Sequence, residues 1–128
     1  MGIKIIAKNK RASYDFTLDE KFEAGLELRG TEVKSLRIGK VAMNQAYVTV
    51  DNNLEAWVYN INVPQYEFGN IHNHDEGRKR KLLLHKKEIH HIFHKLKAER
   101  MSLVPTKLYF KDSHVKLEFA LGKGKRKH

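Results

Sequence analysis

A mainly β fold with one long helix and one or two short ones is what this 128-residue chain predicts, on three features of its pattern. Short segments of alternating character recur along it, turn-forming residues separate pairs of them, and a single stretch carries helical periodicity. That mixture suits a small, partly open antiparallel β-barrel with helices covering its ends or seam.

The first ten residues alternate weakly and read as an arm or an edge strand. Residues 14–17 and 23–28 read as short strands, closed by Gly30. Thr31 is placed to cap a short helix over residues 32–37, with Gly39 as its stop. In that helix Val33 and Leu36 sit three apart on the inner face, which turns Lys34 and Arg37 outward. A hairpin follows, with strands 47–50 and 54–61 around Asp51-Asn52-Asn53, residues that tolerate the positive φ of a tight turn. Trp57 and Tyr59 share one face of its second strand, Ala56 and Val58 the other. Residues 64–77 lose all pattern and read as a long loop, a kind that is usually functional or mobile.

Residues 82–100 predict the one substantial helix, because Ile89, Ile92, Phe93 and Leu96 fall on one face. A second hairpin follows, strands 103–110 and 115–121 around Lys111-Asp112-Ser113-His114. Val115, Leu117, Phe119 and Leu121 alternate along its second strand, as a half-buried strand requires. The architecture expected is an OB-fold-like barrel over residues 1–121, forming a single domain, with residues 122–128 as a disordered basic end.

Composition narrows the function. The chain carries a formal charge of +10 and no cysteine, which excludes disulfides and cysteine-based metal or thiol chemistry. No run of eighteen apolar residues exists to span a membrane, and Lys4 interrupts the N-terminal apolar stretch too early for a secretory signal. A cytoplasmic address is compatible with both. The charge is segregated: residues 1–77 hold 9 lysines and arginines against 11 acids, residues 78–128 hold 16 against 4. A net of −2 followed by +12 gives one part of the molecule a positive field suited to a polyanion, against the plainer alternative of a solvated basic face.

The densest basic run is Arg78-Lys79-Arg80-Lys81, followed by Leu82-Leu83-Leu84-His85. Four cations at the start of the predicted helix are electrostatically disfavoured there, so their placement points to an anion partner. Asn9-Lys10-Arg11 and Lys123-Gly124-Lys125-Arg126-Lys127 are weaker, either tethers that order on RNA or frayed ends. His90 and His94 stand four apart, but the glutamate of a zinc protease motif is missing and no third ligand follows at fixed spacing. No catalytic set, metal site or cofactor motif is assigned. Glu23 is the acid of interest: it suits a hydrogen bond to RNA, a brace for a basic neighbour, or an ordinary outward strand position.

The stretch from Phe22 through Gly25-Leu26-Glu27-Leu28-Arg29-Gly30-Thr31-Glu32-Val33-Lys34-Ser35-Leu36-Arg37 to Lys40-Val41 resembles the hallmark segment of the small protein B family. Asn9-Lys10-Arg11-Ala12 before it, and Arg78-Lys79-Arg80-Lys81-Leu82-Leu83-Leu84-His85-Lys86 after it, resemble that family too. So do Leu103-Val104-Pro105, Lys107-Leu108-Tyr109-Phe110, Val115-Lys116 and Lys123-Gly124-Lys125. The resemblance runs nearly the whole chain in order.

It implies an OB-fold protein, not an enzyme, that binds the tRNA-like domain of transfer-messenger RNA. Such a protein delivers the RNA, with elongation factor Tu, to stalled bacterial ribosomes. RNA contacts carry over onto Asn9, Glu23, Leu83 and His85, with nearby Lys10, Arg11, Lys34, Arg37, Lys40, Arg78, Arg80, Lys81, Lys123 and Lys125. Ser13 stands where a basic residue is usual, Pro64 falls one position early, and Glu76-Gly77 replaces a usual proline and its neighbour. The resemblance further implies a basic tail for the ribosomal decoding region, which residues 122–128 are too short to supply. The 128-residue form is therefore expected to bind RNA without completing rescue. Two other classes stay open on the residues alone: a generic OB-fold component of the ribosome, and a histidine-metal nuclease.

Overall fold

Alternation and turn chemistry build the longest hairpin of the molecule. In the computed structural model, which describes residues 2–39, 41–67 and 73–125, strands β6 (Ser102–Lys111) and β7 (His114–Gly124) pair from Ser102↔Gly122 to Lys111↔His114. Asp112 and Ser113 form the two-residue turn between them with φ of 50° and 73°, the left-handed pair that matches the twist of adjoining strands. β7 runs past Leu121, because Gly122 and Lys123 pair with Leu18 and Thr17. Gly122 is required there: a Cβ would lie 3.2 Å from Val104 and 3.3 Å from Leu18 and Phe16.

The remaining elements are β1 (Ile3–Lys8), α1 (Ala12–Asp15), β2 (Phe16–Leu26), α2 (Gly30–Ile38), β3 (Tyr47–Val50), β4 (Ala56–Tyr59), β5 (Arg80–Leu83) and α3 (Lys86–Ala98). Strands β6, β3, β4, β5, β2 and β7 follow one another in that order, and β6–β7 pairing closes the ring. All pairs are antiparallel. β1 joins the outside of this ring along β6. The closure is thin in two places: β3 meets β6 only at Val48↔Leu103, and β2 meets β5 only at Gly25↔Leu83 and Leu26↔Leu82. This is the OB-like antiparallel barrel that the pattern predicts.

Its interior takes Leu117, Phe119 and Leu121 from β7, Val48, Val58 and Leu82 from β3–β5, and Phe22 and Ala24 from β2. Leu36 of α2 and Ile92 of α3 plug into the same core, at 2% and 0% exposure. Each such side chain contributes roughly 1.5–3 kcal/mol by leaving water. α2 ends where Gly39 turns left-handed at φ 87°, as expected. Its N-cap is Arg29 rather than Thr31, and the Glu32 carboxylate accepts the Arg29 amide at 2.7 Å.

Three further sequence expectations are corrected. Tyr14 and Asp15 belong to the short helix α1, which the Arg11–Asp15 ion pair at 3.2 Å spans, and β2 is one 11-residue strand with an irregularity between Leu18 and Lys21. Leu82 and Leu83 lie in strand β5, so α3 begins four residues after Leu82, at Lys86, behind an N-cap at His85. In the β3–β4 connection the positive φ falls on Leu54, while the Asp51 carboxylate accepts the amides of Asn53 and Glu55. Of the predicted 64–77 loop, residues 68–72 lie outside the described residues. Its described part is anchored by His74, 1% exposed, whose Nε2–H donates to the carbonyls of Val63 and Pro64 while Thr31 donates to Nδ1.

Candidate nucleic-acid interface

The β2–β5 contact and the start of α3 together shape an open groove of about 700 Å³. Glu23, Gly25, Lys81, Leu83, His85 and Lys116 line it. Each is delivered by local geometry. Alternation along β5 buries Arg80 and Leu82 and turns Lys81 and Leu83 outward. His85 is presented because it caps α3, its amide donating to Glu88 at 3.4 Å. Leu83 remains 52% exposed on a charged rim, an unusual position for a large apolar side chain and one suited to packing against a ribose or base.

Glu23 is oriented rather than merely exposed. The Tyr109 hydroxyl donates to its Oε2, and Lys111 Nζ lies 3.3 Å from Oε1. The Tyr109 hydrogen bond, helped by Lys111 and Lys116, holds the carboxyl below its ordinary range against the opposing effect of burial. Burial first, and then the bond to Glu23, push the Tyr109 phenol well above its usual value, so it stays a donor at neutral pH. The result is a fixed acceptor at the groove wall, ionised and with lone pairs left for a hydroxyl or a base amine. Lys81 is paired with Glu55 at 2.8 Å, which raises its pKa.

Arg80 is a correction. It is 1% exposed and faces the barrel interior. Its Nε donates to Glu32 Oε2 at 2.6 Å, and its other nitrogens donate to the carbonyls of Ile61, Arg78 and Glu76. Arg78 is spent the same way, bridging both Glu32 oxygens at 3.0 and 2.6 Å and reaching the Glu27 carbonyl. Burial pushes the fully enclosed Glu32 carboxyl up, but the bonds from Arg78, the Arg29 amide and Arg80 outweigh it and hold the group low. The two arginines therefore serve the fold, and the cation run does not stand at a helix start. The helix-dipole reason for an anion partner goes with it.

The profile of the SmpB protein family matches residues 6–128. The chain belongs to the SmpB family. It is 51% identical over 126 residues to the SsrA-binding protein of Geotalea uraniireducens, covering 98% of this chain and 83% of that protein. With the SsrA-binding protein of Halothermothrix orenii it shares 48% over 127 residues, 99% and 81% of the two chains. A solved structure described as "tmRNA-SmpB: a journey to the center of the bacterial ribosome" superposes at TM-score 0.76 and 39% identity, covering 95% of this chain and 85% of that one.

Not every residue expected at the RNA surface of this SmpB-family chain meets the groove. Asn9 and Arg11 line a separate hollow of about 210 Å³ beside α1. Asn9 is also a backbone clamp, donating to Pro105 O at 2.9 Å and accepting the Arg11 amide at 3.2 Å. Lys123 and Lys125 gather at the same end rather than trailing free: Lys123 lies in β7, and Lys125 donates through Nζ to Ser13 O and through its amide to Asp15 O. With exposed Lys10 they form a second basic patch. Lys34 and Arg37 face outward on α2, lying 5.4 Å from the Tyr66 ring and 5.9 Å from the Phe110 ring. Lys40, Arg126 and Lys127 lie outside the described residues. Among the described residues no three histidines or acids gather for a metal, and His91 is engaged with Glu20 at 2.8 Å.

Sequence reasoning missed Gly25 and Lys116: only strand register reveals that Gly25 lies between Leu83 and Lys116. Tyr109 as the partner of Glu23, 86 residues away, had no local signal either.

Proposed function

We propose that this chain is a non-enzymatic adaptor that binds the tRNA-like domain of transfer-messenger RNA and, with elongation factor Tu, delivers it to stalled ribosomes in the bacterial cytoplasm. The observation that carries this reading is the groove in which Glu23, Leu83 and His85 converge with Lys81 and Lys116. An oriented acceptor, an apolar contact, an imidazole and flanking cations form a surface for folded RNA read by shape and 2′-hydroxyls. Membership in a family whose relatives are SsrA-binding proteins supports the choice of RNA. The groove and the α1 patch with Asn9, Arg11, Lys123 and Lys125 are assigned as its RNA-contacting parts.

The test is a filter-binding comparison of the tRNA-like domain with an ordinary elongator tRNA across a salt series. Tighter binding of the tRNA-like domain is expected, with log K falling against log salt at about −4 to −5 for roughly six phosphates. Equal affinity for the two RNAs sinks the assignment.

A further inference from the structure

Away from the groove wall, the outer face of β3 and β4 carries an aromatic surface that structured-RNA binding leaves unused. Tyr47 pairs with Tyr59 and Thr49 with Trp57 across the two strands, which sets all four on one face. The Tyr47 and Tyr59 rings stack at 4.9 Å between centroids and 5° between planes, and Tyr47 is 45% exposed. The Trp57 indole is held in place, since Nε1 donates to Asp51 Oδ2 at 3.1 Å. Lys79 Nζ rests 4.3 Å from the centre of its ring. β5 puts Lys81 directly across from Trp57, and Lys81 also lines the groove.

We propose, extending the RNA reading above, that this face is a stacking platform for a single-stranded RNA segment leaving the groove past Lys81. Three physical points favour that occupant. The exposed Tyr47 ring, with the half-buried Tyr59 and Trp57 rings fixed beside it, offers π-surface that any base can cover. Trp57 and Tyr59 are two residues apart on one strand, about 6.7 Å, which spaces successive bases in an extended strand rather than a helix. A cation already covers the indole and sits within reach of the phosphate that a base stacked there would bring. Charge alone does not create the site, because Asp51 and Glu55 balance Lys79 and Lys81 locally. Stacking must supply most of the affinity.

The chain holds one tryptophan, so Trp57 emission reports on the platform directly. A ten-nucleotide oligoadenylate, which has no tRNA-like elbow, is expected to quench that emission saturably. Two lysines at the single-strand coefficient give a log–log salt slope of about −1.4, far shallower than for the folded RNA. Tyr59→Leu and Tyr47→Leu keep apolar bulk and remove the ring; each should weaken the quench about tenfold while the thermal melt confirms folding. Glu23→Ala should leave the oligonucleotide titration within about twofold, so the groove and the platform fail independently. No quench at saturating oligonucleotide would overturn the proposal. So would a steep salt slope, unchanged binding by both leucine variants, or an equal loss in Glu23→Ala.

Discussion

The cations at positions 79–81 and their neighbour Arg78 divide into two environments only a few ångströms apart. Arg78 and Arg80 close on buried Glu32, while Lys79 and Lys81 point to solvent beside the groove and the aromatic face. Formal charge does not distinguish the sets, yet one holds β5 to α2 and the other lies toward the surface. Position in the pleat, not charge, decides which role a cation takes. The choice of residue agrees: arginine, with its planar fork, occupies the interior sites that need several fixed bonds, and lysine the outer ones.

The largest effect expected from breaking this contrast is on stability. Arg80→Ala leaves Glu32 enclosed with one of its two cationic partners and the carbonyls of Ile61 and Glu76 without their donor, a loss of about 3–5 kcal/mol. Urea denaturation measures it, and a loss under 1 kcal/mol would return Arg80 to the surface set. The salt slope for RNA binding by the folded fraction should stay unchanged.

Next in size is recognition. Glu23→Ala removes a negative charge, raising the net charge by one, and so should tighten a purely electrostatic complex. Loss of an oriented acceptor should instead weaken the tRNA-like domain by about 1–3 kcal/mol and bring its affinity closer to that of ordinary tRNA. Filter binding of a variant with an unaltered melt decides, and tighter specific binding refutes the role.

Smaller again is the contribution of single exposed lysines. Lys116→Gln should flatten the salt slope by about 0.7–0.9 and lower affinity for different RNAs alike, without touching the melt. An unchanged slope would show that Lys116 meets no phosphate.

The finest distinction is one of pH. Glu32 is held low in the folded state, so it binds fewer protons there than in the unfolded chain at intermediate pH. Its stabilisation is present above the unfolded carboxylate value near 4.3, and it is lost as pH falls through the lower folded value. Melting temperatures followed from pH 7 to pH 3 should decline less steeply in Glu32→Gln, from a lower start. Parallel curves would place the acid sensitivity in other carboxylates.

Much of the scaffold was legible because its signals are local. The alternation of Val115, Leu117, Phe119 and Leu121, the Asp112-Ser113 turn, the stop at Gly39 and the face of Ile89 and Ile92 all depend on residues within one element. Leu83 and His85 were legible as candidates through family resemblance, and the structure brings them with Glu23 to one groove. The start of α3 was misread because three leucines before His85 extend a helical pattern as readily as they fill a strand. α1 was missed because four residues offer too little periodicity to register.

By itself, then, the sequence determined the barrel class, the main core faces and the concentration of positive charge in residues 78–128. Tertiary structure alone decided which cations are exposed. Side chains two apart in a strand share a face, and shifting the register by one exchanges the faces entirely. The charge carried by residues 78–81 does not select between those outcomes. The pairing of Val58 with Arg80 and Trp57 with Lys81, together with Glu32 waiting 48 residues earlier in the chain, makes the selection. A buried arginine is tolerable only where a carboxylate and several carbonyls already converge, and that convergence exists only after the barrel has closed.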